Sequence, residues 1–410
     1  MKKYVIIGNG IASIGCIDGI RSVDKDSEIT VVSKENYNTY GRPLISYYLQ
    51  GRTDTERMKY RPDSYYTENR VSVILGKSAV KIDKASRSVL LDDGTLLEYD
   101  ALCIATGSSP FVPKFEGLEN VEKKFSFMTL DDTLALESAI SENSSVLIVG
   151  AGLIGLKCAE GLSKRVTALT VCDLAPRVLS SILDDECASL MQKRLEDNGI
   201  KFMLSDTAVS FEKGLAHMKS GKDVSFDVLV LAVGVRPNTV LASNIGALTD
   251  RGILIDNNMR TSVQDIYAVG DCSQGYDFSS GEKKVLAILP NAYMQGECAG
   301  VNMAGIERSF DNAVAMNSIG FFGLHAMSCG VYDGEMYEEK SETGIKRLFI
   351  KNGYLCGFML IGNTDRAGIY TSLVRNKTLL SELDFELIKK NPSLAAFCAD
   401  FRRKSLGGVV

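Results

Sequence analysis

Tryptophan is absent from this 410-residue chain, histidine occurs twice, and the ten cysteines stand singly, with no CxxC or CxxxxC pair. That spacing excludes a zinc knuckle, an iron-sulfur cluster and a redox disulfide between near neighbours in sequence. No metal-ligand cluster is visible either. Unpaired cysteines suggest a reducing compartment, hence the cytoplasm. No run is long and apolar enough to cross a bilayer. The start, Met1-Lys2-Lys3 and an apolar run, resembles a secretion signal only in outline, since Gly8, Asn9 and Gly10 interrupt it and Asp18 and Arg21 close it. A formal charge of -5 and a pI near 5.4 oppose non-specific attraction to nucleic acid or membrane, both of which are anionic. With 45% hydrophobic and 24% charged residues, the rest is ordinary globular composition, long enough for two or three domains.

Glycine is plentiful, and two of its clusters have a recognisable setting. Tyr4-Val-Ile-Ile predicts a buried strand, Gly8-Asn9-Gly10-Ile11-Ala12-Ser13 a turn entering a helix to about Arg21, and Ile29 to Ser33 a second strand. In such a unit the first glycine permits the tight turn and the second lets the backbone approach a pyrophosphate at the helix N-terminus. The third small residue, which allows close helix-strand packing, is Ser13 here. The arrangement returns as Ser145 to Val149, Gly150-Ala151-Gly152-Leu153-Ile154-Gly155, a helix through about Lys164, and a strand Ala168 to Cys172 ending in Asp173. Asp173 lies about twenty residues beyond the turn, where a carboxylate accepts both ribose hydroxyls and repels a 2′-phosphate, favouring NAD(H). Arg177 nearby could partly accommodate that phosphate. Two strand-turn-helix copies imply two dinucleotides.

Three further segments occur in order: Tyr99 to Ile104 followed by Ala105-Thr106-Gly107, then Ala232-Val233-Gly234 running to Asn238, then Thr261 to Gly270-Asp271. With these the chain resembles the two-dinucleotide flavoproteins of the pyridine nucleotide-disulfide oxidoreductase superfamily. The resemblance implies an α/β fold with two Rossmann-like modules and a small C-terminal α+β domain. It places FAD on residues 1–110 and 240–309, NAD(H) on 111–239, and an interface domain on 310–410. By the same likeness Thr106 and Gly107 cross between domains near the flavin, and Asp271 holds the ribityl chain. The segment Glu35 to Tyr48, containing Arg42-Pro43, is similar to that of NADH:rubredoxin reductases and related clostridial oxidoreductases, with the flavoproteins of nitrite reductases and carbon monoxide dehydrogenases as further relatives. That likeness sets Arg42 and Pro43 against the FAD pyrophosphate and Glu35, with Ser33 beside it, at the adenosine ribose. Val80, Ala105 and Gly270 complete the FAD contacts, together with Leu289-Pro290-Asn291-Ala292 at the start of a helix that reaches the flavin ring. Val233 and Gly234 join the NAD(H) contacts.

Members with a redox disulfide carry CxxxxC after the first unit, where this chain has Tyr40-Gly41. Disulfide and sulfenate chemistry are therefore not expected. His217 is expected on a solvated strand edge, and His325 as a packed or interface residue. Where relatives place a Lys-Glu pair near flavin N5, this chain has Tyr47 and Lys157. Lys157 either raises the flavin potential as an unpaired cation or pairs with Glu160 or Glu137. No residue is singled out as a catalytic acid or base. Strands Lys346 to Lys351 and Tyr354 to Ile361, joined by an Asn352-Gly353 hairpin, and helices at Gly368 to Arg375 and from about Asp384 are predicted for the last domain. Phe321, Phe322 and Arg402-Arg403-Lys404 are candidate partner contacts, against a core cluster and a solvated tail. The expected reaction is hydride transfer from NADH to flavin N5, then release of electrons to an external iron-sulfur carrier or enzyme, with rubredoxin first and ferredoxin-like proteins next. Direct reduction of oxygen, and a flavin-bound redox sensor or assembly factor, are the alternatives. Homodimerisation is left open.

Overall fold

A computed structural model describes residues 1–399 and 402–403, so Lys404 of the basic tail lies outside the described residues. Strand β1 (Lys3–Ile7) buries four of its five residues, as a strand covered on both faces must. The Gly8 turn leads into α1 (Ile11–Val23), and β2 (Glu28–Ser33) returns parallel to β1 with Tyr4 opposite Ile29. After the Arg42-Pro43 turn come α2 (Ile45–Leu49), β3 (Val71–Leu75) and β4 (Ala101–Ile104). A three-stranded antiparallel insert, 79–83, 88–91 and 96–98, separates the last two.

Strand β5 (Ser108–Pro110) leaves this module. The second contains β6 (Lys124–Phe125), α3 (Leu130–Ala139), β7 (Ser145–Val149), α4 (Leu153–Leu162), β8 (Ala168–Asp173), α5 (Asp185–Glu196), β9 (Lys201–Leu204) and β10 (Val228–Leu231). Strand β11 (Val235–Pro237) pairs antiparallel with β5 and carries the chain back, where β12 (Ile266–Ala268) and α6 (Leu289–Met303) complete the first module. The two sheets run β12-β4-β1-β2-β3 and β9-β8-β7-β10-β6, with every pairing parallel.

Beyond residue 310 an antiparallel sheet is built from β13 (Met316–Phe321), β14 (Leu324–Gly330), β15 (Glu335–Ser341), β16 (Gly344–Lys351) and β17 (Tyr354–Ile361), in the order β13-β14-β17-β16-β15. At the β16–β17 hairpin, Asn352 and Gly353 both have positive φ, 54° and 79°, as a two-residue turn of this hand requires. Helix α7 (Ala367–Asn376) packs on β17, and α8 (Phe385–Lys390) is capped by the Asp384 side chain. Phe321 is fully buried and belongs to the core. His325 lies exposed on β14 with its ring over Gly320, outside the core. His217 is on a small antiparallel strand, paired with Asp223 and Glu212, which hold its pKa above the ordinary value.

Helices α1 and α6 meet backbone to backbone. A Cβ on Gly15 would lie 2.1 Å from the Tyr293 carbonyl oxygen, and one on Gly19 2.3 Å from that of Glu297. From the other side, Gly296 and Gly300 would come within 2.0 Å of the Ala12 oxygen and 2.2 Å of the Cys16 oxygen. Only hydrogen fits at these four positions. The C-terminal domain is fastened to the second module by Arg347, whose buried guanidinium meets Asp184, Glu186 and Glu338. The Phe322 amide donates to Glu160 at 2.9 Å, and Arg194 donates to the Phe322 carbonyl at 3.1 Å.

Gly296→Ala is expected to cost about 1–3 kcal/mol or more by overpacking this contact and to lower the calorimetric unfolding midpoint. Gly368→Ala, at a helical glycine facing open space, should raise it slightly. Equal midpoints for the two variants would mean that the helices part without cost.

Candidate functional site

Both glycine turns are built by one device. Gly8 has φ 112°, and a Cβ there would sit 2.1 Å from the Ala105 oxygen; Gly150 has φ 118°, and its Cβ would sit 2.2 Å from the Ala232 oxygen. Each turn is thus pressed on the loop leaving a neighbouring strand, Ala105-Thr106-Gly107 after β4 and Ala232-Val233-Gly234 after β10. Gly10 and Gly152, the helix N-caps, meet nothing within 4 Å, carry no side-chain cap, and are followed by no acidic residue in the first turn. Uncapped helix N-termini behind an open backbone are what a pyrophosphate needs. Ile11 and Ala12, like Leu153 and Ile154, supply those first turns.

The third position of the motif explains the imperfect first copy. In the second turn a Cβ on Gly155 would lie 2.0 Å from the Gly150 oxygen, so glycine is required. In the first turn Ser13 is fully buried and its hydroxyl donates to the Gly8 carbonyl at 2.6 Å. Serine therefore ties the turn together where the other copy uses contact alone.

Around the first turn the fold gathers Ala12, Gly270 and Ala292, since a Cβ on Gly270 would lie 3.2 Å from the first and 3.7 Å from the second methyl carbon. Asp271 lies beside them, its carboxylate accepting from the Ser108 hydroxyl at 3.3 Å, and burial raises its pKa. Asn291 is buried and donates to the Val314 carbonyl at 3.1 Å, while Leu289, ahead of Pro290, is 38% exposed. The Gly270 amide is held by Gln295 at 2.8 Å. Gln295 had no place among the sequence candidates, although it lies one helical turn after Asn291.

Other expected contacts have partners that the sequence did not indicate. Glu35 ion-pairs with Arg42, and its second oxygen accepts from the Tyr40 hydroxyl at 2.6 Å. Arg42 also donates to the Met128 carbonyl at 2.9 Å, and the Tyr40 oxygen accepts from the Leu130 amide at 3.0 Å, so this cluster bridges the modules. Pro43 begins the turn beside it, and Ser33 ends β2, buried. Val80 points outward, 49% exposed, at a bulge that leaves its backbone outside the strand ladder.

At the second turn, Asp173 accepts from the amides of Ala151 at 2.6 Å and Ala175 at 2.7 Å, which fixes its carboxylate beside the Gly150 loop. Arg177 is turned away. Its guanidinium pairs with Asp185 at 2.9 Å and donates to the Leu183 and Ser180 carbonyls. Lys157 pairs with Glu160 at 2.8 Å and donates to the Gly320 carbonyl, with the Tyr47 and Phe321 rings beside it. Of its two expected roles, this geometry corresponds to the ion pair; Glu137 pairs instead with Arg165. The crossover strands are clasped by Asn238, whose side chain donates to the Thr106 carbonyl at 2.8 Å and whose amide donates to Gly107 at 2.9 Å.

No thiol stands at Tyr40-Gly41. Cys272, next to Asp271, is buried with its thiol on the Ile104 and Val269 carbonyls, and burial pushes its pKa up to about 11. Cys103 lies against Cys16 in the core, both inaccessible, and their contact and burial raise the Cys103 pKa well above the ordinary value. Raised pKa values suppress the thiolate needed for exchange. Among the described residues no group of three or more His, Cys, Asp or Glu suits a metal, and no helix is long and apolar enough to cross a membrane.

The sequence model of the pyridine nucleotide-disulphide oxidoreductase family matches residues 2–296. The chain is 32% identical to the NADH-dependent phenylglyoxylate dehydrogenase subunit epsilon of Aromatoleum evansii, covering 93% of each chain. It is 34% identical to an NADH oxidase of Methanocaldococcus jannaschii, covering 88% of this chain and 87% of that one. A rubredoxin-NAD(+) reductase of Pseudomonas putida is 30% identical over 73% of this chain and 80% of its own. The glycine cradles fit the family's two dinucleotides, FAD and NAD(H). The chain belongs to the pyridine nucleotide-disulphide oxidoreductase family and is an NADH-dependent flavoprotein oxidoreductase.

Proposed function

We propose that this enzyme passes electrons from NADH to a one-electron iron-sulfur protein, with rubredoxin first among carriers and an iron-sulfur enzyme assembly next. The observation that carries the proposal is the lack of any thiol at Tyr40-Gly41, with Cys272 held on backbone carbonyls. A sulfur relay is then missing from the place where disulfide-reducing members have one, and the electrons need an outside acceptor. The rubredoxin reductase relative supports this reading, and the phenylglyoxylate dehydrogenase subunit supports the enzyme assembly. The NADH oxidase relative favours a second reading, direct reduction of oxygen.

We assign FAD to residues 1–110 and 240–309, NAD(H) to 111–239, and the interface role to 310–410. The Gly8 turn, Arg42, the Ala105 loop, Asp271 and the first turn of α6 would hold FAD. The chemistry supplied by bound FAD is hydride acceptance from NADH and release of electrons singly. The chain's own work is positional. Two uncapped helix N-termini bind diphosphates, Asp271 fixes a run of hydroxyls by accepting hydrogen bonds, and Asn238 sets the crossover that orients one module on the other. No side chain is asked to move a proton.

The test is an anaerobic NADH-driven assay against rubredoxin and ferredoxin, with oxygen in a parallel aerobic arm. Turnover with a carrier well above the oxygen rate is expected. Equal rates with and without carrier support the oxidase, and slow flavin bleaching with no turnover on any acceptor leaves only the sensor. For donor choice, Asp173→Ser should lower the ratio of kcat/KM for NADH over NADPH by about tenfold or more, since a charge-assisted hydrogen bond is worth about 1.5–3 kcal/mol. An unchanged ratio would remove Asp173 from ribose recognition.

A further inference from the structure

Helix α6, the loop after it and the last turn of α7 line an open cavity of about 300 Å³, at the seam between the first module and the C-terminal domain. Arg375 enters it from α7. Among the described residues the guanidinium has no carboxylate partner: Nη2 reaches only the Met294 sulfur and the Asn312 Oδ1, both at 3.4 Å, and Nε is shielded from solvent with no hydrogen bond. A guanidinium left without a carboxylate has N–H groups free to donate to the oxygens of a carboxylate or phosphate. Neighbouring cations are differently placed. Arg308 on the same wall pairs with Glu297 at 3.1 Å, and Arg347 across the domain meets three carboxylates. Asp311, the remaining acid on the wall, is exposed and makes no ion pair.

A shielded donor on a charged group without an acceptor is costly. The fold nevertheless holds Arg375 there, with Nη2 donating to the Asn312 side-chain oxygen at 3.4 Å and room beside it for several heavy atoms. We propose that this cavity is a binding site for a small oxyanion, a carboxylate or a phosphate, gripped by the Arg375 guanidinium, which the Asn312 side-chain oxygen positions. Part of its wall, Met294, Glu297, Cys298 and Arg308, belongs to the module assigned to FAD, but none of the individual FAD or NAD(H) contacts named above lines it.

Isothermal titration of the FAD-loaded enzyme in a chloride buffer, with inorganic phosphate in one arm and succinate in the other, tests the assignment. One saturable site per chain is expected in at least one arm, and the arm that responds identifies the oxyanion. Arg375→Met should weaken binding at least about tenfold, as loss of a charge-assisted hydrogen bond implies, while flavin reduction by NADH proceeds at the wild-type rate. Should Arg375→Met fail to fold, Asn312→Ala carries the test, with severalfold weaker binding expected. No saturable binding in either arm, or binding unchanged in the folded variants, overturns the proposal.

Discussion

The contact on which the rest of the molecule depends is the approach of α1 to α6, where four glycines bring main chain against main chain with no room for a methyl group. Both helices begin at segments proposed above to hold the flavin, α1 at the Gly10 turn and α6 at Leu289. Under that proposal, locking the two together would fix where the diphosphate end and the ring end can lie. The same means recurs at smaller scale, Gly8 on Ala105 and Gly150 on Ala232. Such contacts are short and directional, and they do not slide as side-chain packing does. A flavoprotein that relies on orientation more than on acid-base groups gains from this stiffness.

Charge does the fastening between modules. The Glu35–Arg42–Tyr40 cluster joins the first module to the loop before α3, and Arg347 joins the C-terminal sheet to α5. Lys157 and Glu160 secure the β13–β14 turn through Gly320 and Phe322. Pairs of this kind add little net stability, because desolvation offsets most of the attraction, but one partner removed leaves the other exposed to that cost. They therefore specify geometry. Arg375 stands outside the pattern, which is why its cavity draws notice.

The two strand-turn-helix copies were legible because each needs glycine at fixed spacing behind an apolar strand, and the Ala105, Ala232 and Gly270-Asp271 segments could be placed in order along the chain. Side-chain direction was not legible. Arg177 turning to Asp185 and Glu35 turning to Arg42 are decided by partners outside any regular spacing, whereas Lys157 and Glu160, three apart on one helix, are a pair that helical spacing offers. The Gly15/Gly19 and Gly296/Gly300 spacings were present in the sequence, yet spacing alone does not say which helices meet. His325 was expected as a packed or interface residue, and the alternation of β14 turns it outward while Leu324 and Ala326 go in. Strands β13 to β15 lacked the hairpin signal that marked β16 and β17.

The central claim is that electrons enter this protein two at a time and leave it without a sulfur relay. Anaerobic titration with NADH, following flavin absorbance and counting thiols after denaturation, tests it most directly. The account predicts full bleaching by one NADH per flavin with the thiol count unchanged, since NADH delivers two electrons and a disulfide would take two more. Consumption of a second equivalent, with two new thiols appearing, would contradict it and would point to Cys16 and Cys103, the thiol pair in contact in the core.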